Sequence, residues 1–98
     1  MANEGYHEPI DELSDATRDM HRAITSLMEE LEAVDWYRQR ADDCDDESLK
    51  EILLHNMREE MEHAAMVLEW LRRNNADFAK ELKEFLFTEG DIGHHGHD

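Results

Sequence analysis

The sequence predicts an all-α fold: an antiparallel two-helix hairpin plus a short C-terminal helix, with two copies pairing into a four-helix bundle. Three observations carry this. The stretch from Ile10 to Glu89 holds no glycine and no proline; the one proline is Pro9, and the four glycines stand near the chain ends. Without breakers, long helices are favoured. Two extended segments place apolar residues in steps of four and three, the spacing of one helix face. Strand-like alternation is missing, and 98 residues make one small domain with limited surface to bury.

Taken in order, residues 1–8 are polar and read as a flexible N-terminus, with Pro9 opening a first helical turn. The helical domain spans 9–89. From Ser14 the apolar positions are Met20, Ile24, Leu27, Leu31 and Val34, and the first helix should run to about Arg40. Residues 41–46 (Ala-Asp-Asp-Cys-Asp-Asp) form a turn rich in N-capping side chains. A second helix follows, with Ser48 and Glu51 at capping-box spacing. Its stripe reads Ile52, Asn56, Glu60, His63, Val67, Trp70, apolar at both ends and polar in the middle. Asn74-Asn75 ends it, since Asn suits both a helix end and the next cap. Phe78, Leu82, Phe85 and Leu86 share a face of the third helix, and residues 90–98 read as a flexible Gly/His tail. Helices of about 27 residues are roughly 40 Å long. A hairpin of that length exposes a whole apolar side, and packing two face to face covers it, which predicts a homodimer.

Composition excludes several partners. The chain carries 26 acidic and 10 basic residues, a formal charge of −16. That field repels nucleic acid and anionic membranes and attracts cations. No apolar run is long enough to span a bilayer or to serve as a signal peptide. A single cysteine, Cys44, cannot form an intrachain disulfide and fits a reducing compartment, so the expected location is cytoplasmic. His94, His95 and His97 in the tail suit weak metal binding at most.

The polar residues inside the apolar stripes carry the chemistry. Glu60 and His63 are one helical turn apart, so their side chains can converge on one point. Neither belongs on a buried stripe unless something offsets its desolvation, and a metal ion does so. Glu30 interrupts the first helix between Leu27 and Val34. Counting outward from Asp43–Cys44 brings it level with residues 57–60. A dimer doubles this set to four Glu and two His, a donor set that suits iron or manganese. Two metals about 3.5–4 Å apart could then each take one His, with Glu bridging. Tyr37, one heptad past Glu30, is placed to hydrogen-bond a ligand. Glu-x-x-His alone is common in acidic helices, and its bland reading is an ion pair inside a bundle. Beside this set, His55, Glu59 and Glu62 form one stripe and Glu29, Glu32 and Trp36 another. On spacing alone both read as solvated charged faces.

Residues 28–37, Met-Glu-Glu-Leu-Glu-Ala-Val-Asp-Trp-Tyr, resemble the first-helix signature of the encapsulated ferritins. His55-Asn56, then residues 59–66 (Glu-Glu-Met-Glu-His-Ala-Ala-Met) and 68–73 (Leu-Glu-Trp-Leu-Arg-Arg), resemble the second-helix signature. Residues 86–90 (Leu-Phe-Thr-Glu-Gly) match the end of the folded domain. The resemblance covers about residues 7–92. It implies a ferritin-like bundle formed between two subunits, and dimers assembled into a ring-shaped decamer. It implies a ferroxidase centre at the dimer interface, holding two irons per subunit pair on Glu30, Glu60 and His63 of both chains, with Tyr37 nearby. Glu29, Glu32 and Trp36, together with His55, Glu59 and Glu62, would match the family's uptake and peripheral cation sites, where calcium or zinc is expected. The resemblance also implies an encapsulin shell protein as partner, placing the protein inside an encapsulin nanocompartment. The docking peptide that serves this is absent from residues 93–98, so that partner rests on the resemblance.

The reading is therefore a ferroxidase that oxidises ferrous iron with dioxygen for iron storage. Its rivals are a dimer stapled by a structural ion such as zinc and a metal-free helical interaction module. Ferrous iron in air separates the first two, because a staple neither speeds ferric absorbance nor consumes oxygen.

Overall fold

The computed structural model describes residues 5–94. In chain order it contains a 3-10 turn (Ile10–Glu12), α1 (Asp15–Asp42), α2 (Glu47–Asn74), α3 (Ala76–Phe85) and a second 3-10 turn (Ile92–His94), with no strand among the described residues. Tail residues His95 and His97 lie outside the described residues.

Each helix start has a side chain that satisfies an otherwise orphaned N–H. Ser14 Oγ accepts from the Thr17 N–H at 3.1 Å and starts α1. Asp46 starts α2, its Oδ1 accepting from the Leu49 N–H at 2.9 Å and from the Ser48 hydroxyl at 2.9 Å. This corrects the expected Ser48–Glu51 box. The cap falls two residues earlier, and Ser48 serves it as a donor rather than forming it. The Leu49 N–H, and after it the Ser48 hydroxyl, hold the Asp46 carboxyl below its usual range. Asn75 plays the double part expected of it. It closes α2, and its Oδ1 accepts from the Phe78 N–H at 2.8 Å to open α3.

The N-terminal segment folds back on α1. The Tyr6 ring stacks on His21 with centroids 4.2 Å apart, giving that histidine a partner the sequence did not reveal. Gly5 makes the approach possible. Its φ is +89°, and a Cβ there would stand 3.0 Å from His21 Cε1. Arg18 fixes the same corner by donating to the Leu13 carbonyl at 2.7 Å.

α1 and α2 pack antiparallel, and the core between them is thin. Among the described residues only Ala41, Met57, Ala64 and Leu71 are buried, the last three at heptad steps along α2. The molecule is 19 Å thin along its shortest axis, little more than one layer of helices. Both broad faces are therefore open. Arg22 and Ser26 of α1 line one cavity with Met66, Val67 and Trp70 of α2, which fixes one face. About half a turn round each helix, Ile24, Met28 and Leu31 of α1 and Met61 of α2 expose apolar surface on the other face. The α1 stripe expected to form a single seam thus serves two sides of the hairpin.

Candidate metal centre

Glu30 sits at the middle of α1, and Glu60 and His63 at the middle of α2. His63 Nδ1 stands 3.4 Å from Glu30 Oε2 and 3.7 Å from Glu60 Oε2. One ligand atom from each residue falls within 4.8 Å of the other two, and this is the one such group of three among the described residues. The level match follows from the short turn. Pairs whose numbers move by sevens in opposite directions face each other along the hairpin. Ala23 and Trp70 line one cavity, Glu30 meets His63, and Cys44 and Leu49 line another cavity.

The centre is poised rather than satisfied. The Glu30 and Glu60 side chains are 24% and 26% exposed, while that of His63 is 46% exposed and opens onto the face that carries Trp70. Glu30 Oε2 is buried and accepts no hydrogen bond among the described residues, with His63 Nδ1 near it at 3.4 Å. A proton shared with Glu30, then burial and the Glu30 charge, push the Glu60 carboxyl above its usual range, against the opposing pull of His63. Two half-buried carboxylates beside an imidazole repel one another unless a proton or a cation joins them. A divalent cation removes both defects. It takes the orphaned oxygen, screens the carboxylates from each other, and finds the mixed oxygen and nitrogen donors that suit iron or manganese. The residues fit a metal, and one chain offers three candidate ligands with an open side.

The other candidate residues are arranged more loosely. Tyr37 lies one heptad from Glu30 with Arg40 stacked over its ring at 5.3 Å, and its hydroxyl makes no hydrogen bond among the described residues. Arg40 was missed in the sequence, although its three-residue spacing from Tyr37 was the available signal. His55 and Glu59 pair at 3.3 Å, and Glu62 continues their exposed stripe. Glu29, Glu32 and Trp36 share an exposed strip of α1. Neither set closes into a three-ligand cluster within one chain among the described residues.

A single helical hairpin that displays a carboxylate–histidine cluster on an open face has a ferritin-like helical fold. The chain belongs to the EncFtn-like family, which matches residues 5–89. It is 60% identical over 86 residues to the encapsulated ferritin-like protein of Rhodospirillum rubrum, covering 88% of this chain and 61% of that one. It is 54% identical over 87 residues to a ferritin-like protein of Thermotoga maritima, covering 89% of this chain and 76% of that one. Among solved structures, the crystal structure of a protein from Nitrosomonas europaea aligns with a TM-score of 0.88 and 64% identity, covering 93% of this chain and all of that one. The resemblance to encapsulated ferritins read from the two helix signatures is thus established. No helix among the described residues is long and apolar enough to cross a membrane.

Proposed function

We propose that the chain is a ferroxidase subunit whose centre is completed by a second copy. The convergence of Glu30, Glu60 and His63 on an open face carries this reading. A dimer would bring two such triads together, four carboxylates and two imidazoles for two ferrous ions. The carboxylates would hold ferrous iron and favour the harder ferric product. His63 of each chain would complete one ion, and dioxygen would accept the electrons. Residues of this chain do the positioning. Glu30 and Glu60 would offer their carboxylates from the two arms of the hairpin, and Tyr37 borders the layer from one heptad away.

The wider assembly is part of the same proposal. The second apolar face, with Ile24, Met28, Leu31 and Met61, gives dimers a surface through which to join, in keeping with a ring-shaped decamer. Glu29, Glu32 and Trp36 would gather ferrous ions toward the centre, and His55, Glu59 and Glu62 would hold peripheral calcium or zinc. The name of the Rhodospirillum rubrum relative supports an encapsulin shell protein as partner and a compartment as location, and a cytoplasmic setting for that compartment is part of the proposal.

The deciding experiment adds ferrous iron in air and follows ferric absorbance and oxygen uptake. The parent should accelerate both, and His63→Ala and Glu60→Ala should each remove the acceleration. Variants that oxidise iron as fast as the parent would overturn the site.

A further inference from the structure

Asn56 lies one heptad before His63 on the same stripe of α2, with Ile52 one turn before it and Val67 and Trp70 beyond the metal layer. It is half-buried, and its carboxamide makes no hydrogen bond among the described residues. The register that sets Ala23 beside Trp70, Glu30 beside His63 and Cys44 beside Leu49 places Tyr37 across from Asn56. The layer next to the metal ligands therefore holds two uncharged polar side chains on a stripe that is apolar at both ends. In a free protomer water satisfies them. Once a second copy covers the face, an amide left against apolar side chains is costly, so only alignments that give it a partner survive. A lone Asn in the apolar seam of packed helices fixes their register in this way, at a cost in stability.

We propose that Asn56, with Tyr37 beside it, sets the register in which a second copy seats on this face, so that the two half-centres meet. The inference rests on the reading of the centre as shared between copies. Leu at position 56 removes the penalty on wrong alignments. A slip of one turn then keeps the apolar contacts but separates the ligand triads by about 5 Å. Misplacement of reacting groups by even 1 Å can cost about a hundredfold in rate.

The test compares the parent, Asn56→Leu and Asn56→Gln. Spin labels on Cys44, the single cysteine and a turn residue, report the alignment of two copies through their separation without any iron. The parent should give one narrow distance distribution. Asn56→Leu should broaden or split it, raise the thermal midpoint of the metal-free protein by several degrees, and lower the rate of ferrous oxidation at least tenfold. Asn56→Gln, which keeps the carboxamide, should retain one distribution. An Asn56→Leu protein with the parent's distribution and rate would overturn the register role. A parent with an ordered pair of labels but no iron oxidation would remove the ferroxidase reading and leave the register role standing. A parent with no dipolar coupling between labels, both in chelator and with a divalent cation added, would end both.

Discussion

If the hairpin folds only as part of a pair, its thermal midpoint must fall on dilution. The structure says how strongly the chain needs a partner. A compact monomer of 11.6 kDa exposes about 5,800 Å². This chain exposes 7972 Å², an excess of about 2,000 Å² over that expectation. That is the scale each partner contributes to an obligate dimer, about 1,000–2,500 Å². The four buried apolar residues cannot replace it. Each tenfold dilution costs a dimer about 1.4 kcal/mol. Two chains of 98 residues unfold with an entropy of about 0.4 kcal/mol/K. The midpoint should therefore fall by about 3 °C per tenfold dilution, and by about 7 °C over a hundredfold range. Circular dichroism at the helix band, in buffer with a chelator, reads it directly, with sedimentation velocity in parallel. A midpoint constant to about 1 °C across that range, with a monomeric mass, would show that the metal-free hairpin folds alone, and a monomeric mass that persists with ferrous iron present would remove the shared centre with it.

Other expectations are more local. Leu71 is fully buried, so Leu71→Ala should destabilise by about 2–5 kcal/mol in denaturant melts, far more than the same change at the exposed Leu49. Glu60→Gln removes one of two repelling carboxylates. The metal-free protein should melt higher than the parent, and the upward shift that ferrous iron produces in the parent should vanish. Asp46 has its pKa lowered by folding, so its capping contribution is complete above the ordinary carboxylate range and lost as pH falls through the lowered value. Asp46→Asn keeps a capping oxygen without that titration, and its helicity should decline less than the parent's in an acid titration. Equal decline in the two proteins would count against the cap.

Much of the fold was legible because the signals were local and unopposed. A chain without glycine or proline between Ile10 and Glu89 has few places to stop a helix, and the acidic turn and Asn74-Asn75 were the evident ones. Glu30, Glu60 and His63 were legible for a related reason. A short turn fixes the level of every residue on both arms, so counting sufficed. The α2 cap was ambiguous because Asp42, Asp43, Asp45, Asp46 and Ser48 are all good capping types within one stretch, and spacing alone does not rank them. The Tyr6–His21 contact needed a backbone reversal at Gly5 that no periodicity records. The division of the α1 stripe between two faces depends on how α1 is rotated against α2. Sequence steps of three and four leave that rotation open.

That rotation bears directly on function. Had Glu30 pointed to the centre of a broad apolar stripe, pairing would have buried its charge against apolar side chains with nothing to offset the desolvation. Instead it points between the helices, and Ile24, Met28 and Leu31 leave by the opposite face. The site face is consequently the poorer in large apolar groups near its middle, where Glu30, Glu60, His63 and Asn56 lie. Apolar burial alone cannot hold two such faces together there, because each chain already carries a charge of −16 and the ligand carboxylates repel across the contact. On the proposed reading, cations between the triads would supply what apolar contact lacks at that layer, while Ile52, Val67 and Trp70 on either side would exclude water from it. Metal affinity and pairing would then be one equilibrium: whatever strengthened the seat of the second copy would tighten the cation, and the reverse would hold by linkage. In that arrangement Glu60 and His63 are both ligands and interface residues, and neither role can be weakened without the other.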